Sequence, residues 1–124
     1  HFYWRDFFFA ESALLTVLRA LHILSTHTET FDEIVRPFLR YVSSGEVNIS
    51  VEDKDKALDA VVTHYQDAKE VKYLDGVSIA YDDFWFNVRA SNTEPLLRIT
   101  MEAKEKGVLD ARLREVIGLV VINQ

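Results

Sequence analysis

The sequence predicts an α+β fold, in which a mainly antiparallel sheet of four strands packs against two helices and a helical segment comes first. Three observations support this fold class. Val47, Ile49 and Val51 alternate with polar residues, which is the period of a half-buried strand. The pair Asp75-Gly76 lies between two such runs and is typical of a hairpin turn. The first forty residues instead carry apolar residues at helical spacing.

The N-terminal region is predicted to be helical. From Arg5 to about Ser25, apolar residues cover nearly every face, as in a helix that lies inside a larger body. A second helix is predicted at Thr30, because Thr30 and Glu33 have the spacing of a capping box. Pro37 lacks an amide proton and is expected to kink or end that helix.

The segment 41–45 is predicted to be a linker, which divides the chain into residues 1–40 and 46–124. The second part begins with the strand described above, and a helix is expected to follow Asp53. After the hairpin come two further strands, Phe84 to Ala90 and Leu97 to Ala103, and a last helix follows Gly107.

Composition excludes several functional classes. The 124 residues correspond to one domain, or to one domain plus part of another. The absence of cysteine excludes disulfides and thiolate metal sites, and it indicates a reducing, cytoplasmic environment. No apolar run approaches the ~20 residues that cross a bilayer, and no signal peptide is evident. The net charge of −6 disfavours nucleic acid as a partner.

Two arginines stand out in the stretch RASNTEPLLR at 89–98. Arg89 ends one predicted strand and Arg98 lies early in the next, so the hairpin would bring both to the mouth of its loop. A guanidinium offers paired donors in a rigid plane and keeps its charge, which suits a phosphate group.

The loop between the arginines has suitable chemistry for the same ligand. Ser91, Asn92 and Thr93 are small and polar, and the successive amides of a tight turn can form an anion-binding nest. Pro95 suits the first position of a strand, and Glu94 is expected to brace an arginine or the loop backbone. On this chemistry alone, a charged hairpin loop with two solvated arginines is an equally good interpretation.

The other polar residues favour structural roles. His22, His27 and His64 do not share a helical face and are interpreted as core or surface histidines. Asp53 suits a helix start, and Trp85 suits packing on a sheet.

The pattern R-x-S-N-T-E-P-x-x-R resembles the C-terminal phosphate-binding loop of the α-D-phosphohexomutases, in particular the phosphomannomutase/phosphoglucomutase group. It fixes seven residue types within ten positions. The opening HFYWRDF is similar to the segment after the sugar-recognition loop of that family, and residues 41–48 are similar to the join between its third and fourth domains. The resemblance implies that residues 1–40 are the C-terminal helical fragment of the α/β third domain. Residues 41–45 would then be a hinge, and residues 46–124 the fourth domain, with a topology similar to the TATA-binding fold.

The resemblance also implies an activity, the interconversion of hexose 1- and 6-phosphates through a glucose or mannose 1,6-bisphosphate. Asn92 favours mannose or glucose over glucosamine as the sugar. The residues implied to hold the non-reacting phosphate are Arg89, Ser91, Asn92, Thr93 and Arg98, with Glu94 and Pro95 supporting the loop. His1 would stand at the end of the sugar-recognition loop.

The sequence contains neither a serine loop of the T-A-S-H-N-P kind nor a magnesium loop of the D-G-D-G-D-R kind. Mg²⁺ is therefore expected only in the full-length enzyme, and this chain alone is not expected to be catalytic. Its expected partners are the phosphosugar and the upstream domains. The apolar segment 5–25 is expected to self-associate or to pack against residues 46–124. A stand-alone phosphate-ester binding module and a structural or interaction domain are the alternatives.

Overall fold

The computed structural model describes residues 1–123 and divides into two compact units. The first unit runs from His1 to Leu39, and the second begins at Arg40. Each unit has its own secondary structure and is described by itself.

The first unit contains two short strands and two helices. Strands β1 (Tyr3–Trp4) and β2 (Ala10–Glu11) pair antiparallel, and α1 (Ala13–Thr26) and α2 (Phe31–Val35) follow. The predicted helix from Arg5 onward is therefore interrupted, because Arg5–Phe7 form a single 3₁₀ turn and the α-helix begins only at Ala13. Phe8 and Phe9 adopt left-handed backbone angles, with φ of 53° and 54°, and this reversal between the short strands interrupts a helix.

The local signals around α2 are confirmed. The Thr30 hydroxyl accepts a hydrogen bond from the Glu33 amide at 3.4 Å, and the Glu33 carboxylate accepts from the Thr30 amide at 2.8 Å. This is the reciprocal capping box that the sequence predicts. The helix ends at Val35, and Pro37 lies in a 3₁₀ turn over Arg36–Phe38, as expected of a residue without an amide proton.

The second unit is built on one antiparallel sheet of five strands. Their spatial order is β3-β7-β6-β5-β4. The strands are β3 (Val42–Ser50), β4 (Glu70–Lys72), β5 (Val77–Ala80), β6 (Phe84–Ala90) and β7 (Leu96–Ala103). The α+β class is confirmed, but the predicted number of four strands is wrong. The additional strand is the short edge strand β4, which pairs with β5 through the Asp75-Gly76 turn.

Two helices and one face of the sheet form the core. Helices α3 (Lys54–His64) and α4 (Lys106–Ile122) pack against each other, and α4 packs against β3 and β7. Side chains along β6 and β7 alternate, so that Phe86, Val88 and Ile99 are fully buried while their neighbours lie on the opposite, open face. Full burial of such a side chain contributes roughly 1.5–3 kcal/mol.

The segment 41–45 is mostly part of the sheet. Strand β3 begins at Val42 and contains a β-bulge between Ser43 and Glu46, with Gly45 at a φ of 64°. Residues 42–45 therefore lie within the sheet, and the predicted linker at 41–45 stays a prediction. The hinge role stays a prediction, and Tyr41 is the part of the segment that lies outside β3.

None of the helices that the structure describes is long and apolar enough to cross a membrane.

Candidate functional site

Two arginines face each other on the open face of the sheet. Arg89 on β6 is the direct cross-strand partner of Arg98 on β7. Their neighbours Val88 and Ile99 point into the core, so both guanidiniums lie on the face that the helices leave uncovered. Like charges directly opposite each other destabilise a sheet, and this pair therefore requires counter-ions.

Three carboxylates supply the counter-ions. Glu46 on β3 contacts both arginines, with 3.3 Å from one oxygen to Arg89 Nη2 and 3.3 Å from the other to Arg98 Nη1. Asp75 Oδ2 lies 3.2 Å from Arg89 Nη1, and Glu94 Oε2 lies 3.5 Å from Arg98 Nη2. Since one carboxylate reaches both guanidiniums, the two arginine side chains converge.

The loop between β6 and β7 presents free backbone donors beside the arginines. The Ser91 amide donates to the Leu96 carbonyl at 3.0 Å, and Ser91 is 5% exposed. Asn92 and Thr93 are exposed, and their amides donate to no acceptor within residues 1–123. A small oxyanion could accept hydrogen bonds from these amides.

Groups outside the loop hold it in place. Lys54, the first residue of α3, donates from Nζ to the Ser91 carbonyl at 2.9 Å and lies 3.5 Å from the Glu94 carbonyl. The Val51 amide donates to the Pro95 carbonyl at 3.0 Å. Asp53 caps α3 by accepting from the Lys56 amide at 3.0 Å. The conformation of the loop thus depends on both the end of β3 and the start of α3.

The turn at Asp75-Gly76 brings another part of the chain to the site. Asp75 and Gly76 have φ of 51° and 85°, as expected of a turn with positive φ at both positions. A Cβ on Gly76 would lie 2.4 Å from the Val88 carbonyl oxygen and 2.8 Å from the Cα of Arg89. Glycine therefore allows the turn to approach β6 closely enough to place Asp75 beside Arg89.

These groups surround a depression of about 220 Å³. Its lining includes all five residues predicted to hold phosphate. They are Arg89, Ser91, Asn92, Thr93 and Arg98. Of the residues predicted to support the loop, Glu94 contacts Arg98 and Pro95 accepts the hydrogen bond from Val51. Their functional roles stay predictions. His1 belongs to the other unit, where its Nδ1 lies 2.6 Å from Glu11 Oε1.

The sequence-based prediction missed Glu46, Lys54 and Asp75. Two of them come from parts of the chain that are far from the loop in sequence, and their placement depends on how β3 and α3 meet β7. The third was recognised as a turn residue because of its neighbouring glycine. Two arginines predicted to lie opposite each other do indicate that acidic side chains must be nearby. They do not indicate which acidic residues these are.

A second polar cluster lies around His64 in the same unit. The His64 Nε2 and Arg112 Nη1 atoms each lie 2.8 Å from one oxygen of Glu115, and the Tyr81 hydroxyl donates to Asp67 at 2.6 Å. Desolvation, helped by the hydrogen bond to Asp67, raises the pKa of Tyr81 to about 12. Nowhere in residues 1–123 do three or more histidine, aspartate or glutamate side chains form a group that could hold a metal ion.

Comparisons with known proteins place this chain in a family. The family described as phosphoglucomutase/phosphomannomutase, C-terminal domain, matches residues 46–118. Phosphomannomutase from Methanocaldococcus jannaschii is 35% identical over 120 residues, which are 97% of this chain and 26% of that protein. Phosphomannomutase from Escherichia coli K12 is 31% identical over 123 residues, which are 97% of this chain and 27% of that protein.

A solved structure shows the same fold. It is a phosphoglucomutase/phosphomannomutase family protein from Burkholderia thailandensis, with a TM-score of 0.71 and 24% identity. The similarity covers 96% of this chain and 25% of that one, and this chain spans about a quarter of the length of the curated relatives it matches. With more than half of its residues matched by the family model, the chain belongs to the phosphoglucomutase/phosphomannomutase family.

Proposed function

We propose that this chain provides the site that holds the non-reacting phosphate of a hexose phosphate in a phosphomannomutase/phosphoglucomutase. The observation that carries the proposal is the direct pairing of Arg89 with Arg98 beside a loop with free amides. A phosphate monoester carries roughly −1.5 to −2 charge at neutral pH and has three strong acceptor oxygens. Two guanidiniums and a nest of amides complement both its charge and its hydrogen-bonding capacity.

The proposed reaction interconverts the 1- and 6-phosphates of mannose or glucose through a bisphosphorylated sugar. That intermediate must turn around between the two transfers, so one site has to bind either of its phosphates. The groups lining the depression suit this task, because the arginines and the loop would bind the phosphate group itself. Recognition of the sugar would be the role of other parts of the enzyme. Ser91, Asn92 and Thr93 add small polar groups that approach the phosphate without crowding it.

The role of this chain is binding and orientation. Phosphoryl transfer additionally requires a nucleophile and a divalent cation, and Mg²⁺ would supply charge neutralisation at the transferred group. In this proposal Mg²⁺ is held by another part of the full-length enzyme. The partners in this proposal are the phosphosugar and the other domains of the mutase.

The proposal is tested by replacing Arg98 with alanine in a mutase that contains this chain. Loss of charge-assisted hydrogen bonds worth on the order of 1.5–3 kcal/mol is expected to raise the KM about ten- to hundredfold. Arg114→Ala is the matched control, because Arg114 is exposed on α4 and forms no ion pair within residues 1–123. Unchanged steady-state kinetics for both Arg89→Ala and Arg98→Ala would rule out the assignment.

A titration of the isolated chain with mannose 6-phosphate separates this role from that of a stand-alone module. One loop without the surrounding domains is expected to bind weakly, with saturation only in the millimolar range. Micromolar affinity would favour a self-sufficient phosphate-ester binding module.

A further inference from the structure

The bulge in β3 determines where Glu46 points. Ser43 pairs with Glu102 and Glu46 pairs with Thr100, so β3 has one more residue than β7 over this interval. Side chains alternate between the two faces of a sheet, and one extra residue reverses the faces of all residues after it. A regular strand would have placed Glu46 opposite Ile99 and toward the core. The bulge instead turns it to the open face, where the arginines lie.

On the open face, Glu46 uses both of its carboxylate oxygens. One oxygen contacts Arg89 Nη2 and the other contacts Arg98 Nη1, each at 3.3 Å. The carboxylate is therefore a planar anion held between the two guanidiniums. It engages the donors that a phosphate at the mouth of the loop would need.

The charges of the two arginines and of the side chains that contact them or the loop backbone balance. Arg89, Arg98 and Lys54 supply three positive charges, while Glu46, Asp75 and Glu94 supply three negative ones. An arriving phosphate would meet a neutral cluster rather than a positive one. Strong binding of a dianion therefore requires that one carboxylate withdraw from the arginines.

We infer that Glu46 is an internal competitor for the phosphate: its carboxylate holds both arginines in the free site and leaves them when a phosphate dianion binds. This inference rests on the proposed function. A dianion with three acceptor oxygens gains more from the guanidiniums than a single carboxylate does, so it displaces Glu46. A monoanion gains no such advantage and is excluded. The returning carboxylate also assists release, which an intermediate that must leave and reorient requires.

Titration of Glu46→Gln with inorganic phosphate at pH 7.5, followed through the amide resonances of Asn92 and Thr93, tests the competition. The substitution removes the charge and keeps the shape, and we expect the Kd for phosphate to fall about tenfold. Acetate, a monoanion, should shift the same resonances in Glu46→Gln and not in the wild type. The matched control is Glu70→Gln, which makes the same substitution at an exposed carboxylate that contacts Lys72 on β4 and does not line the depression. It is expected to change the Kd by less than about threefold.

A Kd that is unchanged or higher in Glu46→Gln would overturn the inference and would show that Glu46 orients the arginines. If phosphate shifts the loop amides in none of the three proteins, the proposed function is wrong and the inference fails with it. The two failures are thus distinguishable.

A second measurement uses the wild-type protein. The carboxyl carbon resonance of Glu46 should move during the phosphate titration with the same midpoint as the Asn92 amide, while the carboxyl resonance of Glu70, which contacts Lys72 on β4, stays in place. A stationary Glu46 resonance, accompanied by shifts of the Arg89 and Arg98 side chains, would overturn the inference independently of any substitution.

Discussion

The two units of this chain obtain their structure in different ways. In the first unit no residue is buried, and large apolar side chains such as Leu14 are exposed. Its helices begin and end where local signals place them, at the Ser12 cap, at the Thr30–Glu33 capping box and before Pro37. The second unit has a continuous core between its sheet and its helices. Local contacts therefore stabilise these helix ends, whereas a binding site such as the Arg89–Arg98 pair requires strands held in register by a core.

The largest expected difference between the units is in how much a single substitution to alanine lowers the free energy of unfolding. Phe86 is fully buried in β6, and Phe86→Ala is expected to reduce the free energy of unfolding by about 3–5 kcal/mol. Leu14→Ala, at a position 71% exposed on α1, is the control and should change it by less than about 0.5 kcal/mol. Denaturant unfolding followed by circular dichroism measures both. Comparable losses for the two variants would mean that the units do not differ in packing.

A second contrast concerns two glycines within the second unit. Gly76→Ala forces a side chain into left-handed backbone and against the Val88 carbonyl, so a loss of at least about 2 kcal/mol is expected. Gly118 lies in α4 with open space around the position of a Cβ. Gly118→Ala should instead stabilise the protein by up to about 1 kcal/mol, because alanine favours a helix. Thermal unfolding of both variants gives the sign directly, and stabilisation by Gly76→Ala would contradict the close approach of the turn to β6.

The part of the site that could be predicted from the sequence is the part formed by residues close together along the chain. The pairing of Arg89 with Arg98 is a consequence of one hairpin, so a short stretch of sequence was enough to predict it. Glu46 escaped prediction because its direction depends on a bulge, and a bulge is defined only by pairing with β7. Lys54 escaped because its contact with the loop joins residues 37 positions apart.

The fold shows the same limits. The helix starts at Thr30 and Asp53 and the Asp75-Gly76 turn were predictable from a few adjacent residues. The run before that turn was recognised as one side of a hairpin but was not counted as a strand of the sheet, because β4 has only three residues and β-propensity depends on packing. The backbone reversal at Phe8 and Phe9 was not predicted. Sequence patterns thus predicted the parts of the molecule in which interacting residues are close along the chain.

A smaller effect is expected on the association state, through the apolar residues of α1. Leu14 and Leu18 are exposed, as are Phe7 and Phe8 in the first unit, and a large amount of exposed apolar surface usually acquires a partner. The proposed partner is a second copy of this chain. Sedimentation velocity should show a concentration-dependent dimer, and the double substitution Leu14→Glu, Leu18→Glu should shift it to monomer. The control is Lys56→Glu on α3. A wild-type protein that stays monomeric at high concentration would contradict the expectation.

The smallest predicted effect is a pH dependence confined to the first unit. Hydrogen bonds from the Thr30 amide and hydroxyl hold the pKa of Glu33 below its ordinary value. Because this pKa is lower in the folded than in the unfolded state, the capping box contributes its full stability above the unfolded pKa and loses it as the pH falls through the folded pKa. NMR titration of the Glu33 carboxyl carbon should give a midpoint below the ordinary pKa of a glutamate. Thr30→Ala should raise the Glu33 midpoint toward that ordinary value, while the resonances of β6 and β7 remain unchanged. Equal Glu33 midpoints in the wild type and in Thr30→Ala would show that the capping box does not persist in solution.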